Sequence, residues 1–551
     1  MCGIFGYISS ASKIENHEEL YSSAMKLKQR GPERQSVYQT DNLFLMFHRL
    51  CILNKSNDGD APFVYSSDSG EKSVFVLCNG EIYNYKTLKF IYRLPEAPND
   101  TSYIYPVFQQ LKSNINNSHE AFRLLNISLS GSEYALAMIE CVENVVTKIY
   151  LSVDTSSVRP MFYSFHEGVY AFSSLLKGLT KIVPPSSIKR LRGGQMIYID
   201  CVKNTVLESS YINDEKINQI SAKDEDNLKF LIVRKFTKAV QDRCESDREI
   251  GCLLSGGLDS SLVAAIASEY TRKHGKKLKT FTIGMTDGTD FKYARLVAAH
   301  IQSDHTEIYF TKEEGLEALE EVVKVTESYD ITTIRASVGQ YLVAKWISKN
   351  TNIKVLLNGD GSDEIMCGYL YFHNAPNDTE LHNDSVRLID DIHLFDGLRV
   401  DRCISHFGLE ARLPFLDYEI VKFFKKLSPT LKKPINGVEK FFIRNAFDVY
   451  WDDILPHEVL FRKKEAFSDG ISDTSKSWYL MVQEYIEQNK SVDKSITYDH
   501  LPPVSHESTW YRQVFEKEFG AECAKLIPYY WLPRFTLEPS IEPSARTLNN
   551  Y

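Results

Sequence analysis

Residues 254–261 (LSGGLDSS) constrain the fold of this chain most, because a glycine pair lies between a short apolar run and a helical pattern. The apolar run is EIGCLLS, and the segment LDSSLVAAIASEY that follows has helical spacing. Downstream, the apolar runs KTFTIGM and IKVLL alternate with helical segments, including a long amphipathic one around 314–327. This alternation predicts a doubly wound α/β domain with a parallel sheet, followed by a mostly helical part from about residue 363.

The first ~200 residues follow a different pattern, with short runs rich in aromatic and β-branched residues. These runs include CGIFGYIS, LFLMFHRLCIL, SVFVLCNG, TKIYLSV and GVYAFSS, and Gly, Asn, Asp and Pro separate them. They predict an α+β sandwich of antiparallel sheets with a few helices. The polar stretch 206–225 is the predicted linker between a domain at 1–205 and a domain at 226–551, and two domains suit a chain of 551 residues.

Charge and cysteine content exclude several classes of protein. The net charge of −9 argues against a nucleic-acid protein held by a strong overall positive field. The 10 cysteines include no C-x-x-C pair, so we expect free thiols in a reducing compartment. No uncharged apolar stretch approaches the ~20 residues that span a bilayer, and the chain starts without a basic leader. We therefore expect a cytoplasmic protein without membrane or nucleic-acid partners, and a homodimer is left open.

The glycine loop predicts a phosphate-binding site. Gly256 and Gly257 allow close approach of the backbone to a ligand, and the helix that follows presents unpaired N–H groups. The hydroxyls of Ser255 and Ser260 add hydrogen-bond donors. Asp259 would repel a phosphate unless a divalent cation lies between them, so the loop also predicts Mg²⁺. An ordinary glycine-rich turn is the alternative interpretation.

Two further segments could complete this site. Residues 358–364 (NGDGSDE) follow the apolar run IKVLL, at the strand end where open α/β sheets bind ligands. Arg462, Lys463 and Lys464 form a basic run, and a lysine there could stabilise phosphate oxygens in a transition state. Basic runs of this kind are more often solvated surface.

A second site is predicted at the amino terminus. Removal of Met1 would expose Cys2, whose α-amine has an ordinary pKa near ~7.7–8.0 and could act as base for its own thiol. Arg49 could clamp a carboxylate, while Asn79 and the N–H of Gly80 could form an oxyanion hole. Glu81 could hold an ammonium group. A cysteine that is second in the chain by chance is the alternative.

These residues resemble class II glutamine amidotransferases, which carry an N-terminal cysteine, and SGGLDSS resembles the pyrophosphate loop of ATP pyrophosphatases. Their order is similar to that of glutamine-hydrolysing asparagine synthetases, especially the eukaryotic forms. The likeness runs nearly end to end. It includes TESYDITTIRASVG (326–339), GLEARLPFLD (408–417), KEAFSDG (464–470) and PSARTL (543–548). It implies an N-terminal-nucleophile fold for the first domain.

The resemblance also implies a ligase reaction and a set of site residues. Cys2 would take ammonia from glutamine through a thioester, and ammonia would then displace AMP from aspartate that MgATP has adenylylated. The implied catalytic residues are Cys2, Asp360 and Lys464. The implied glutamine-binding residues are Arg49, Leu50, Cys51, Ile52, Leu53, Asn79, Gly80, Glu81 and Asp100. The implied ATP-binding residues are Leu254, Ser255, Gly256, Gly257, Asp259, Ser260, Ile283, Asn358 and Gly359, with Asp259 and Asp363 as metal positions.

The chain departs from the family pattern at four places. Asp-Gly-Glu is replaced by residues 100–102 (DTS), Arg-Asp-x-x-Gly-Val-Arg-Pro by residues 153–160 (VDTSSVRP), and a Ser-Glu pair by residues 174–175 (SL). Asp360 stands where a glutamate is usual. Two alternative enzymes therefore stay open: an ammonia-dependent asparagine synthetase with a weakened glutaminase, and a β-lactam synthetase-like enzyme acting on another carboxylate. A non-catalytic binding protein is the third alternative.

Overall fold

The computed structural model describes residues 1–10, 13–212, 224–286, 288–464, 477–536 and 541–544. Two compact units make up the chain. One consists of Met1–Glu215, Ser246–Arg248 and Ser405–Leu409, and the other of Lys216–Glu245, Glu249–Ile404 and Glu410–Tyr551. Of the predicted linker at 206–225, residues 206–210 belong to a strand, residues 213–223 lie outside the described residues, and a helix begins at Glu225.

The first unit contains two six-stranded antiparallel sheets, which confirms the predicted α+β class. The strands are β1 Gly3–Ser9, β2 Arg34–Gln39, β3 Leu43–Arg49, β4 Phe63–Ser66, β5 Lys72–Glu81, β6 Glu133–Val142, β7 Val145–Val153, β8 Phe162–His166, β9 Val169–Ser173, β10 Lys189–Arg190, β11 Gln195–Asp200 and β12 Thr205–Ser210. One sheet has the order β10-β8-β9-β1-β3-β2 and the other β12-β11-β7-β6-β5-β4. The helices are α1 His17–Met25, α2 Tyr85–Ile91, α3 Ile104–Ile115 and α4 Ser118–Ser128.

Alternation along the strands builds two apolar layers in this unit. Every second side chain of a strand points to the same face of the sheet. Leu45 of β3 and Leu77 of β5 join one core cluster, which draws residues from both sheets. Cys78, the next residue of β5, packs in a second cluster with Phe108 of α3 and Phe122 of α4. The sandwich therefore has a core between its sheets and another under its helices.

The second unit contains a five-stranded parallel sheet, as the alternation predicted. Its strands are β13 Ile250–Leu253, β14 Lys279–Gly284, β15 Asp304–Tyr309, β16 Val355–Leu357 and β17 Glu410–Arg412, in the order β15-β14-β13-β16-β17. The helices, in chain order, are α5 Glu225–Asp242, α6 Leu258–Lys273, α7 Asp290–His300, α8 Lys312–Glu317, α9 Leu319–Thr326, α10 Ile331–Asn350, α11 Ser362–Ile365, α12 Asp378–Asp390, α13 Asp396–Ser405, α14 Tyr418–Lys426, α15 Pro429–Lys432, α16 Phe441–Tyr450, α17 His457–Leu460, α18 Trp478–Asn489 and α19 His506–Phe519. None of the helices in the described ranges is both long and apolar enough to cross a membrane.

Two details of this unit differ from the sequence-based expectation. The predicted helix around 314–327 is two helices, α8 and α9, interrupted at Ala318. The part after residue 363, which was expected to be mostly helical, also contains one strand, β17, which pairs with β16 at the edge of the sheet. This strand has no apolar run because two of its three residues are charged and buried, and Arg412 Nε donates to Glu410 Oε1 at 2.9 Å.

Candidate active sites

Cys2 lies immediately before β1, in contact with residues that follow β3 and end β5. Its backbone nitrogen donates a hydrogen bond to Asn79 Oδ1 at 2.7 Å, and its thiol lies 3.8 Å from the carbonyl oxygen of Leu50. Arg30 Nε donates to the Cys2 carbonyl oxygen at 2.9 Å. The predicted nucleophile and the predicted oxyanion residue are therefore direct neighbours.

Asn79 and Gly80, the predicted oxyanion residues, lie near the end of β5. Asn79 is fully buried, and its Nδ2 has no hydrogen-bond partner among the residues that the structure describes. A buried amide donor without a partner is costly, and a ligand oxygen would supply the missing acceptor. Gly80 has no room for a side chain, because a Cβ there would lie 2.1 Å from the carbonyl oxygen of Glu133.

Arg49 is buried and contacts its own loop. Nη1 donates to the carbonyl oxygen of Ser56 at 2.8 Å and to Asp60 Oδ1 at 2.7 Å. Nη2 donates to the carbonyl oxygens of Leu53 at 3.2 Å and Asn54. These bonds use the donors that the predicted carboxylate clamp would need. In this structure Arg49 holds the loop that follows β3 in shape.

Asp100 links its turn to the end of β5. Asp100 is buried, and Oδ2 accepts a hydrogen bond from the backbone nitrogen of Ile82 at 2.6 Å. Thr101 and Ser102, which replace the usual Gly-Glu, both donate their hydroxyls to Asn99 Oδ1, at 3.1 and 2.7 Å. The substituted residues thus close the turn and leave the Asp100 carboxylate bonded to the strand end.

The altered 153–160 turn is organised by one carboxylate. Asp154 accepts hydrogen bonds from the backbone nitrogens of Ser156, Val158 and Arg159, each at 3.0 Å. Burial raises the pKa of Asp154 to about 6, although these three hydrogen bonds act to lower it. Ser157, where the family pattern has glycine, has a φ of +48°, which costs a residue with a Cβ roughly 1–2 kcal/mol. The Asp154 carboxylate therefore holds together a turn in which Ser157 is locally strained.

In the second unit, residues 254–261 and 358–363 extend from the carboxyl ends of β13 and β16, which are adjacent strands. The direction of strand succession reverses between these two strands, and open α/β sheets bind ligands at such a switch point. All predicted ATP-binding residues except Gly256 line one pocket there, and so do Asp360, Asp363 and Lys464. The ATP-binding residues concerned are Leu254, Ser255, Gly257, Asp259, Ser260, Ile283, Asn358 and Gly359.

Close backbone packing shapes the glycine loop. Gly256 has a φ of +74°, and a Cβ there would lie 2.4 Å from the backbone nitrogen of Ala294 in α7. Gly256 therefore lets the loop pack against α7 and does not line the pocket. A Cβ on Gly359 would lie 2.7 Å from the backbone nitrogen of Ser260, so the two loops touch. The hydroxyl oxygens of Ser255 and Ser260 lie 3.0 Å apart inside the turn.

Two lysines and two aspartates form the charged centre of this pocket. Lys440 Nζ lies 2.6 Å from both Asp259 Oδ2 and Asp363 Oδ1, and Lys464 Nζ lies 2.6 Å from Asp363 Oδ2. Burial acts to raise the pKa of Asp363, but the two ammonium groups hold it below its ordinary value. Sequence reasoning missed Lys440, which has no motif around it.

The carboxylates of Asp259 and Asp363 suit Mg²⁺. Asp259 Oδ1 is buried without a hydrogen-bond partner in the described part of the chain, so one carboxylate oxygen has spare capacity. No group of three or more His, Cys, Asp and Glu ligands occurs among the described residues. One or two carboxylates together with substrate phosphates are the usual protein site for Mg²⁺. The donor set therefore fits a metal that binds together with a phosphate ligand.

Asp360 lines the pocket and is held between an arginine and an amide. Its Oδ1 pairs with Arg399 Nη2, and Gln340 Nε2 donates to Oδ2 at 3.3 Å. Arg399 also pairs with Asp396 Oδ1 at 2.6 Å. Burial raises the pKa of Asp360 to about 6, although the Arg399 charge opposes the increase. Arg399 was not predicted, because it lies on α13, far from the motifs in sequence.

Comparisons with known proteins agree with this geometry. The family described as Asparagine synthase matches residues 232–387 and 374–538, and the Glutamine amidotransferase domain matches residues 1–192. The Gallus gallus protein named Asparagine synthetase [glutamine-hydrolyzing] is 36% identical over 591 residues, which cover 100% of this chain and 99% of the relative. The Homo sapiens protein of the same name is 36% identical over 589 residues, with the same coverage of both chains.

The similarity to solved structures is weaker. Glutamine phosphoribosylpyrophosphate amidotransferase from B. subtilis has a TM-score of 0.31 and 14% identity, over 54% of this chain and 79% of that one. That similarity is too low to support an argument about function. The family matches and the full-length relatives, by contrast, cover both sites. This chain belongs to the family of glutamine-hydrolysing asparagine synthetases.

Proposed function

We propose that this protein is a glutamine-dependent asparagine synthetase. It converts L-aspartate, L-glutamine, ATP and water to L-asparagine, L-glutamate, AMP and diphosphate. The observation that carries the proposal is the presence of two sites in one chain. In the first, the backbone nitrogen of Cys2 is hydrogen-bonded to Asn79. In the second, a glycine loop lies beside two aspartates that pair with two lysines. The full-length relatives support the same combination of activities.

The first unit would release ammonia from glutamine. Once Met1 is removed, the α-amine of Cys2 takes the thiol proton, and the sulfur attacks the side-chain amide carbon of glutamine. Asn79 Nδ2 and the N–H of Gly80 then stabilise the oxyanion. The protonated α-amine returns its proton to the amide nitrogen, and collapse of the intermediate releases ammonia and leaves a thioester. Water hydrolyses the thioester to glutamate. The glutamine is held by Glu81, Asp100 and residues 50–53, in a loop that Arg49 supports.

The second unit would activate aspartate. The N–H and hydroxyl groups of Ser255, Gly257 and Ser260 would bind the ATP phosphates at the start of α6. Asp259 and Asp363 would hold Mg²⁺, which supplies charge neutralisation for those phosphates. The aspartate β-carboxylate attacks the α-phosphorus, diphosphate leaves, and ammonia then displaces AMP from the acyl carbon. Lys464 supplies positive charge where phosphate oxygens gain negative charge.

The identity of the products tests this proposal. With aspartate, ATP, Mg²⁺ and ammonium, we expect equal amounts of asparagine, AMP and diphosphate. Detection of ADP and phosphate would overturn the assignment of the glycine loop. Failure with aspartate, but reaction with another carboxylate, would favour the β-lactam synthetase-like alternative. A kcat/KM for glutamine far below that for ammonia would favour the weakened-glutaminase alternative, which the contact between Cys2 and Asn79 opposes.

The pKa of Asp360 predicts how the synthetase step depends on pH. Its ionised carboxylate faces Arg399 and can accept a proton from the attacking amine. Since the pKa is raised to about 6, this form is lost as pH falls through 6, well above the range of an ordinary aspartate. We expect ammonia-dependent asparagine formation, measured at constant free NH₃, to fall below pH 6 and to level off above pH 7.

Two substitutions of Asp360 test whether this residue causes the pH dependence. Asp360→Asn cannot titrate, so its rate should be low and nearly independent of pH between 5 and 7. Asp360→Glu restores the usual family residue and should preserve or raise the rate at pH 7.5. A wild-type profile that stays flat down to pH 5 would exclude Asp360 as the proton acceptor.

The cellular setting is also a proposal. All 10 cysteines are free thiols, which suits a reducing compartment such as the cytoplasm. We propose small-molecule partners only, namely aspartate, glutamine and ATP.

A further inference from the structure

A short carboxy-terminal segment lies against the synthetase pocket. Pro543 and Ser544 line the same pocket as the nucleotide loops. Their neighbour Glu542 pairs with Arg335, which also lines the pocket. Arg335 Nη1 donates to Glu542 Oε1, and Arg335 Nη2 donates to Glu542 Oε2 at 3.1 Å. The Glu542 carboxylate thus joins residues 541–544 to the pocket wall.

Arg335 is a rigid anchor for that carboxylate. Glu507 of α19 holds it from the other side, accepting from Nε at 2.9 Å and from Nη2 at 2.5 Å. The Arg335 side chain is only 5% exposed. A guanidinium has five N–H donors in a planar fork, and the two carboxylates together engage all three of its nitrogens. Arg335 therefore has fixed partners on two sides, one of them the carboxy-terminal segment.

Glu542 makes further hydrogen bonds that dock the segment. Gln483 of α18 donates from Nε2 to Glu542 Oε2 at 2.8 Å. The backbone nitrogen of Ser544 donates to Glu542 Oε1 at 3.0 Å, which holds the turn that carries Pro543 and Ser544. Glu542 thus joins α10, α18 and its own turn through hydrogen bonds of one carboxylate.

We propose that residues 541–544 form a wall of the synthetase pocket, docked through Glu542 on Arg335, and that this wall keeps water away from the activated acyl group. Glu542 is a positioning residue in this proposal, which rests on the proposed synthetase function. An acyl-adenylate reacts with water unless the site excludes it. The water oxygen bonds to the acyl carbon, the bond from that carbon to the phosphate oxygen breaks, and AMP, aspartate and a proton are released.

Loss of the docking carboxylate should uncouple ATP use from amide formation. Glu542→Gln removes the negative charge that strengthens the hydrogen bonds to Arg335. The ratio of undocked to docked segment should therefore rise about 10-fold. We expect the ratio of diphosphate released to asparagine formed to rise in ammonia-dependent assays. Gln483→Ala removes a second bond to Glu542 without touching the pocket lining, and it should raise the ratio to a smaller extent.

A matched glutamate provides the control. Glu516 of α19 pairs with Arg512 Nε at 2.6 Å, and its side chain is 16% exposed, against 20% for Glu542. Glu516 lies outside the pocket lining. Glu516→Gln should therefore keep the wild-type ratio of diphosphate to asparagine. An unchanged ratio in both Glu542→Gln and Gln483→Ala overturns the proposal, and so does an equal increase in Glu516→Gln.

Limited proteolysis tests docking without any catalytic readout. Trypsin cleavage after Arg546 of the full-length protein, followed by intact mass, should be faster in Glu542→Gln than in the wild type or Glu516→Gln. Equal cleavage rates would overturn docking through Glu542. If the wild type released no diphosphate, the proposed function would fail, and the cleavage rates would still decide whether the segment docks.

Discussion

Cys2→Ala should lower glutamine-dependent asparagine synthesis by at least about 10³-fold, because no other group in the site replaces the nucleophile. Asparagine synthesis from added ammonium should change little, since the residues proposed to activate aspartate all lie in the second unit. The measurement is asparagine formation with glutamine and with ammonium chloride, at saturating aspartate and MgATP. Intact mass of the wild type should show that Met1 is absent.

Cys78→Ala is the matched control for this experiment. Cys78 is the residue before Asn79, and burial raises the pKa of its thiol well above the ordinary value. A buried neutral thiol is not a nucleophile, so this variant should keep most of its glutamine-dependent activity. If Cys2→Ala lost both activities equally, Cys2 would have a structural role and the glutaminase assignment would fail.

Lys464→Ala should lower asparagine synthesis with both nitrogen donors by about 10²–10³-fold, because it removes a positive charge from the phosphate end of the pocket. Lys464 Nζ lies 2.6 Å from Asp363 Oδ2, and this contact helps hold the Asp363 carboxylate ionised. Hydrolysis of glutamine to glutamate should persist, since Cys2 and Asn79 belong to the first unit. Glutamate and diphosphate measured in the same assay separate the two effects.

Lys425→Ala controls for the loss of a buried lysine. Lys425 Nζ pairs with Asp390 Oδ1 at 2.9 Å, and its side chain is 11% exposed, against 19% for Lys464. It lies outside the pocket lining, so its substitution should leave the synthetase rate near that of the wild type. Thermal unfolding of both variants shows whether a lower rate reflects lost folding. A Lys464→Ala enzyme with wild-type diphosphate release would remove Lys464 from the catalytic set.

The sequence predicted the two pocket loops because their signals are local. Glycines, hydroxyls and carboxylates follow apolar runs at 254–261 and 358–363, and the rule for parallel sheets places such strand ends at one edge. The alternating runs of the first unit likewise matched strands β1, β3, β5, β7 and β9. The periodicity of apolar residues and the Gly, Asn, Asp and Pro residues that separate the runs are local features of the chain. A single sequence is therefore enough to show them.

Residues whose role depends on tertiary packing were not predictable. Lys440 stands in the segment NGVEK, and nothing local distinguishes it from a surface lysine until the fold places it between Asp259 and Asp363. Arg399 likewise pairs with Asp360 only because the fold brings α13 to the pocket. Arg49 shows the opposite case, because its charge suggested a substrate clamp while carbonyl groups of its own loop bind the guanidinium in the structure.

The backbone contact at Gly359 has a consequence for how this protein can change over generations. A Cβ at this position would lie 2.7 Å from Ser260 N and 2.9 Å from the carbonyl carbon of Asp259. Two segments far apart in sequence therefore share one space, and neither can gain an atom there unless the other moves. Substitutions in the two loops should consequently show strong epistasis, and tolerated replacements should arise as pairs.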